Sequence, residues 1–356
     1  MSRTALAAFL VFLAAPLAAA DFPTPTEGDF VMDEFQFTTG EGMSHLNLHY
    51  TTIGTPVKNA AGVVTNAVLI MHGTGGSGRG FLSATFGGQL FGAGQMLDAT
   101  KYFIILPDDI GHGKSSKPSD GLHMKFPHYN LEDIVSAERL LVEHVGVKHL
   151  IAVLGASMGG RQTWQWGVQY PEFMDALVPM ISSPFPNVGR RGVIDFLPEA
   201  IIKADPGWKD GNYDKNPDGA RLADLTYSIF LRTPSLLQDQ LPTREATEKW
   251  VGEGRGSFGW PDANDFIYMM ELSNGFDAWS ELDRIHCPVL IINMAGDNMV
   301  PVELHHAEKV LARLTNATYL EVKPEAEYGH GALGRTVNIW GPKLREWLLG
   351  VRAAEK

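Results

Sequence analysis

The run Leu150-Ile151-Ala152-Val153-Leu154 leads straight into Gly155-Ala156-Ser157-Met158-Gly159-Gly160, and a helix-like stretch follows. This is GxSxG in a strand-turn-helix setting. A serine placed there sits on a tight, strained bend, and small residues two positions before and after it let neighbouring backbones pass close. The bend lifts the hydroxyl above the sheet. The N–H of Met158 and the start of the helix then point to where a carbonyl oxygen gains charge, so the implied chemistry is nucleophilic attack on an acyl carbon. GxSxG also arises by chance as an ordinary glycine-rich turn. The apolar run before it and the helix after it favour the nucleophile.

A serine hydroxyl is a weak nucleophile at neutral pH and needs a base, which in turn needs an orienting acid. On such an elbow the expected chain order is Ser, then Asp or Glu, then His. Asp297 follows the apolar run Val289 to Met294, and His330 lies beyond the last strand signal in Glu327-Tyr328-Gly329-His330-Gly331. Asp297 could instead cap a helix beginning near Pro301, and a lone loop histidine is often inert. Chain order and strand-end placement favour an acid and a base. Asp175 is a weaker candidate for that acid because it precedes its strand, and Asn298 cannot carry the charge that stabilises an imidazolium.

Met71-His72-Gly73-Thr74-Gly75-Gly76-Ser77-Gly78 contains both GxGxxG and HGxxG. The first would be a dinucleotide turn. However, further glycines at Gly87, Gly88, Gly92 and Gly94 argue against a regular helix behind it, and Asp98 stands before a strand where a ribose-binding acid belongs at the end of one. The second reading places the Thr74 N–H beside that of Met158 as an oxyanion donor. Asp108-Asp109-Ile110-Gly111-His112-Gly113-Lys114-Ser115 holds Gly-Lys-Ser but lacks the earlier glycine of a phosphate loop, so it reads as a supporting loop. His305 and His306 are adjacent on a helix and point in different directions, and neither HExxH nor CxxC occurs, so no metal and no cofactor are expected. Cys287, the single cysteine, enters a buried strand and reads as structural.

These residues need a scaffold. Short, nearly continuous apolar runs recur at 67–71, 102–106, 150–154, 176–181, 289–294 and 318–322, with helix-length segments between them. Runs apolar on both faces imply a mostly parallel twisted sheet flanked by helices. Residues 34–55 alternate around Gly40-Glu41-Gly42 and predict a hairpin at the sheet edge. No comparable strand signal falls between Ser183 and Ile285, a stretch of about a hundred residues rich in turns and then in Trp, Phe and Met, so an inserted, mainly helical cap is expected. The division is a core of 21–183 and 286–356 and a cap of 184–285. The aromatic and Met residues of the cap could line a pocket or form the cap's own core.

Length and composition, 356 residues with 44% hydrophobic content, allow a sizeable core. The net charge of -12 is spread along the chain and excludes nucleic acid as a natural partner. Residues 1–20 carry Arg3, an apolar run and Ala18-Ala19-Ala20, which reads as a signal peptide cleaved near Ala20, with export to the periplasm or beyond. Its apolar run is shorter than the roughly 20 residues of a membrane span, and no stable insertion is expected after cleavage.

The chain resembles the α/β-hydrolase superfamily, and within it the homoserine O-acetyltransferase-like branch. GASMGGRQTWQWGVQYPEFMDA around Ser157, DANDFIYMM from Asp262 to Met270, and YGHGA around His330 carry the resemblance. It implies Ser157 as nucleophile, Asp297 as triad acid and His330 as base. Trp260 and Pro261 depart from the Arg-Phe that this branch usually places before Asp-Ala-Asn. The leading expectation is a secreted serine hydrolase that acts on a small-molecule acyl ester through an acyl-enzyme. An acyltransferase of the homoserine O-acetyltransferase type, working by the same mechanism, is the alternative.

Overall fold

The structure is a computed structural model that describes residues 22–354. The proposed signal peptide lies outside the described residues. Strand β1 (Thr26–Met32) is followed by the two-residue strands β2 (Phe35–Gln36) and β3 (Gly42–Met43) and then by β4 (Leu46–Ile53). β2 and β3 pair only with each other, while β4 pairs antiparallel with β1. The expected edge hairpin is thus split: the Gly40 turn closes a small ribbon, and the partner of β4 lies upstream of the predicted pair. β1, in the sequence TEGDFVM, is mostly exposed and carries too little apolar alternation to announce itself.

The remaining strands are β5 (Ala67–Met71), β6 (Phe103–Pro107), β7 (Ala152–Ala156), β8 (Leu177–Met180), β9 (Val289–Met294) and β10 (Ala317–Val322), each within two residues of its apolar run. They join β1 and β4 in one eight-stranded sheet ordered β1-β4-β6-β5-β7-β8-β9-β10. From β6 to β10 every pairing is parallel. Successive side chains leave opposite faces of a strand, and β5 shows the result. Ala67, Leu69 and Met71 enter one buried cluster, and Val68 and Ile70 the other.

Helices cover both faces. α1 (Gly87–Leu90) lies on one side, while α2 (Leu131–His144) and α3 (Met158–Gln169) cover the other. Asn130 starts α2 by accepting the N–H groups of Glu132 and Asp133 at 2.8 and 3.1 Å, and Asp133 returns the bond to the Asn130 N–H at 3.0 Å. Such a reciprocal cap typically contributes about 1 kcal/mol. Between β8 and β9 run α4 (Gly189–Ala204), α5 (Asp218–Phe230), α6 (Pro234–Gln240), α7 (Arg244–Glu253) and α8 (Ala263–Glu271). Ile194, Ile202, Trp208, Phe266 and Ile267 from this insertion form a buried cluster of their own. α9 (His306–Leu311) and α10 (Val337–Ala354) complete the chain, and Trp340, Leu344 and Leu348 of α10 pack with Leu90 of α1. Among the described residues no helix is long and apolar enough to cross a membrane.

One polar device fastens α2 to α3. Glu138 and Asp109 are fully buried. Glu138 Oε2 accepts the Trp166 indole N–H at 2.7 Å, and Asp109 Oδ2 accepts the Gln162 amide at 2.6 Å. Glu138 also hydrogen-bonds Asp109, and burial together with the Asp109 charge pushes the Glu138 carboxyl well above its ordinary range. Two carboxyl groups this close are stable only if one keeps its proton. The folded chain therefore holds a proton that the unfolded chain releases near pH 4.5, so this contribution weakens as pH rises from there through the folded value. Glu138→Gln keeps the donor to Asp109 and the acceptor for Trp166 without titrating. Its Tm relative to wild type is expected to rise steadily between pH 5 and pH 8, and a pH-independent difference in calorimetry would contradict the assignment.

Candidate active site

Ser157 lies between β7 and α3 with φ 59° and ψ −109°. An ordinary L-residue resists that conformation, and the surrounding backbone imposes it. The Ser157 N–H donates to the Met180 carbonyl at 2.9 Å and the Gly159 N–H to the His72 carbonyl at 3.0 Å. A Cβ on Gly155 would stand 1.9 Å from the Gly159 carbonyl oxygen, and one on Gly159 would stand 2.2 Å from that of Met71. Neither position accepts a side chain, which is why the glycines flank the serine at this spacing.

Ser157, Asp297 and His330 come together. His330 sits in a 3-10 turn, Gly329–Arg335, after β10, and its N–H donates to the Leu231 carbonyl of the helical insertion at 3.0 Å. Gly329, at φ +58°, permits that approach, because a Cβ there would meet the Leu231 oxygen at 2.5 Å. Asp297 follows β9 and is buried. Its Oδ1 accepts the N–H groups of Met299 and Val300 at 2.8 and 3.3 Å, and its Oδ2 lies 2.8 Å from His330 Nδ1. The turn-capping role and the role toward histidine are both present, one on each oxygen. A carboxylate only accepts, so His330 Nδ1 carries the hydrogen and Nε2, 2.7 Å from Ser157 Oγ, accepts the hydroxyl proton.

Thr74 lies with Ser157, His330, Tyr227 and Leu231 on a cavity of about 420 Å³. The Tyr227 hydroxyl of α5 lies beside the Thr74 side chain and Arg191. Met158 begins α3, and its N–H has no carbonyl one turn earlier to bind. It borders a second cavity of about 420 Å³ that Ser157 also lines, with Arg161, Phe185 and Trp279 on its walls. Tyr227 gave no sequence signal. Arg161 stood inside the quoted serine motif, where a charged residue one turn into a buried helix was the available clue. Of the aromatic and Met residues in the insertion, Phe266 and Met270 enter its own core, Tyr268 and Phe276 join the main core, and Trp279 reaches the cavity. Cys287 is buried and its thiol is pushed up to about 12, mainly by that burial.

The sequence matches the family model described as alpha/beta hydrolase fold over residues 66–331, and the chain belongs to that family. Within it the chain is similar to homoserine O-acetyltransferases. The one from Moorella thermoacetica is 29% identical over 337 residues, covering 83% of this chain and 88% of its own. Among solved structures, esterase E22 superposes with a TM-score of 0.79 at 18% identity, over 91% of this chain and 100% of its own. The homoserine O-acetyltransferase from Bacillus anthracis gives 0.77 at 22% identity, over 91% and 97%. The chain is thus an enzyme of acyl transfer or ester hydrolysis with a small-molecule substrate. The expectation of export is corrected by the same relatives. They match most of this chain and are named for acetylating homoserine, a free amino acid. The export reading rested only on residues 1–20, whose hydrophobic composition does not by itself establish a cleaved leader.

The loop carrying His72 and Thr74 is fastened from below. His72 Nδ1 donates to the Gly73 carbonyl at 2.8 Å, and its Nε2 accepts the Asp109 N–H at 3.2 Å. The buried Asp108 carboxylate accepts the Gly78 N–H at 2.7 Å and the Lys114 N–H at 2.9 Å, joining this loop to the one that holds Ser115. Asp108→Ala leaves both donors without a partner and is expected to cost about 2–4 kcal/mol. Urea denaturation with an unchanged m-value measures it, and a loss below about 0.5 kcal/mol would show that water replaces the carboxylate.

Proposed function

We propose that this chain is an acyl-transfer enzyme in which Ser157 is the nucleophile, His330 the general base and Asp297 its orienting acid, and that the acyl group passes to an alcohol of the homoserine type. The observation that carries the reading is the hydrogen-bonded run Ser157–His330–Asp297, whose serine lines two cavities. His330 Nε2 takes the hydroxyl proton as Oγ attacks the acyl carbonyl, and Asp297 stabilises the resulting imidazolium. The backbone N–H groups of Met158 and Thr74 receive the oxyanion, each donor contributing about 3 to 4 kcal/mol to the transition state. His330 returns the proton to the leaving group, and the acyl-serine remains. An acceptor alcohol, deprotonated by the same histidine, then attacks it and releases the new ester.

Residues 184–285 act as a cap in this proposal. Support comes from Tyr227, Leu231 and Phe258, which bring the insertion onto the cavity that holds Thr74 and His330. The names of the relatives support transfer to an alcohol over hydrolysis. Release to water is the second reading, favoured by Trp260 and Pro261 standing where the branch usually has Arg-Phe.

A fluorophosphonate probe is expected to label Ser157 in wild type and not in Ser157→Ala. With an acetyl donor and homoserine together, O-acetylhomoserine is expected to form faster than free acetate by product analysis. Faster release of acetate would select hydrolysis, and absence of labelling on folded protein would remove both readings. Asp297→Asn deprives His330 of its counter-charge and is expected to lower kcat by about 10³–10⁴ with KM little changed. A loss under tenfold in steady-state kinetics would reassign the acid.

A further inference from the structure

The cavity bordered by Met158 carries an imbalance of charge that the acyl-serine chemistry does not use. Its apolar walls include Phe185, Trp279 and Met299. Its charged lining is basic, with Arg161, Arg190, Arg191 and Lys309 beside the His306 imidazole, and no carboxylate among the described residues lines it. This occurs in a chain of net charge -12. Three of the basic groups are occupied. Arg191 pairs with Asp195 at 2.9 Å, Arg190 donates to Asn298 Oδ1 at 2.8 Å, and Lys309 donates to the Leu304 carbonyl at 3.2 Å.

Arg161 is different. The residue is 6% exposed, and Nη1 is sequestered from solvent without a hydrogen-bond partner. The guanidinium packs 5.1 Å over the Phe276 ring, and no carboxylate or carbonyl among the described residues receives its donors. It lies in the first turn of α3, and both it and Ser157 line this cavity. Nearby, the His306 ring stacks on Phe185 at 4.4 Å with Nδ1 also buried and unpartnered. Burial and Arg191 push the Arg161 guanidinium down to about 9, against the opposing pull of the Asp195 carboxylate that Arg191 already pairs, so it remains a cation at neutral pH. A buried cation without a partner is strongly unfavourable, and it persists where a ligand supplies the counter-charge.

We propose that this cavity is a subsite for a carboxylate at the far end of the substrate's acyl chain, held by Arg161 while the acyl carbonyl lies at Ser157. The inference rests on the acyl-serine reading for its place in catalysis, but the anion site stands on its own geometry. A planar guanidinium matches a planar carboxylate through two parallel hydrogen bonds. An unpaired guanidinium suits a carboxylate group, and a cavity of about 420 Å³ suits a short chain bearing one. The basic groups already paired contribute a favourable field without competing for the ligand.

The test compares mono-p-nitrophenyl glutarate with p-nitrophenyl butyrate, and measures glutarate binding by titration calorimetry. Wild type is expected to favour the anionic ester at least tenfold in kcat/KM and to bind glutarate. Arg161→Met is expected to lower the ester ratio by about 10–100-fold and abolish measurable glutarate binding, while Arg161→Lys restores part of both. Lys309→Met, at the rim, is expected to lower the ratio by about threefold, and it keeps the test open should the arginine variants fold poorly. An unchanged ester ratio in folded Arg161→Met, or a wild type that neither binds glutarate nor prefers the anionic ester, overturns the subsite. Fluorophosphonate labelling separates the two claims. Labelled Ser157 without glutarate binding leaves the acyl-serine reading standing alone, and glutarate binding without labelling leaves the anion site standing alone.

Discussion

The turn at Ser157 works only because three backbones pass closer than any side chain allows. Gly155 lies under the Gly159 carbonyl, and Gly159 lies under that of Met71, so β5, β7 and the first turn of α3 are locked together at one point. A left-handed serine costs roughly 1–3 kcal/mol. The bonds from Ser157 N–H to Met180 and from Gly159 N–H to His72 typically contribute about 0.5–1.5 kcal/mol each. These magnitudes are comparable, so the strain is offset locally and the buried parallel sheet beneath fixes the geometry. If either glycine is replaced, the serine hydroxyl, the Met158 N–H and the His72 loop lose their register together.

The same sheet explains how residues distant in sequence meet. In an open parallel sheet the loops after the carboxyl ends of the strands share one edge. Ser157 follows β7, Asp297 follows β9, His330 comes after β10, and Thr74 follows β5. Asp297 then depends on a division of labour between its oxygens. Oδ1 is held by the N–H groups of Met299 and Val300, which fixes the carboxylate plane, and Oδ2 is thereby presented to His330. The histidine is steadied from the insertion, through its own N–H to Leu231 and through Glu327, which accepts hydrogen bonds from Thr233 and Ser235. The helical insertion is thus part of the support of His330, which links whatever moves the insertion to the alignment at Ser157.

What the sequence revealed follows from range. The buried strands were legible because a strand covered on both faces must be apolar throughout, and the serine elbow was legible because its constraint lies within five residues. Asp297 and His330 were legible through chain order, which the strand sequence converts into proximity. β1 was not, because Thr26-Glu27-Gly28-Asp29 gains its place only by pairing with β4. Tyr227 was not, because its value lies in touching Thr74 and Arg191 from another part of the chain. The link between Glu138 and Asp109 was equally silent, since a carboxylate in a helix reads as a solvated face until Trp166 and Gln162 are seen beside it.

Two buried ionisable groups on either side of α3 show how differently a fold can deal with charge. Glu138 has a cheap escape, because a carboxyl can take up a proton, become a donor to Asp109 and stop being an ion. Arg161 has none at neutral pH, since its guanidinium keeps its proton even when burial lowers its pKa. The first charge is resolved inside the protein and serves packing between α2 and α3. The second is left unresolved near Ser157, at a cost to the unliganded enzyme that a bound anion recovers. A site arranged this way discriminates by what an incorrect substrate fails to supply: a neutral acyl chain of the same length fills the apolar walls but leaves the arginine unpaired. Selectivity then follows from the cost of that unpaired charge.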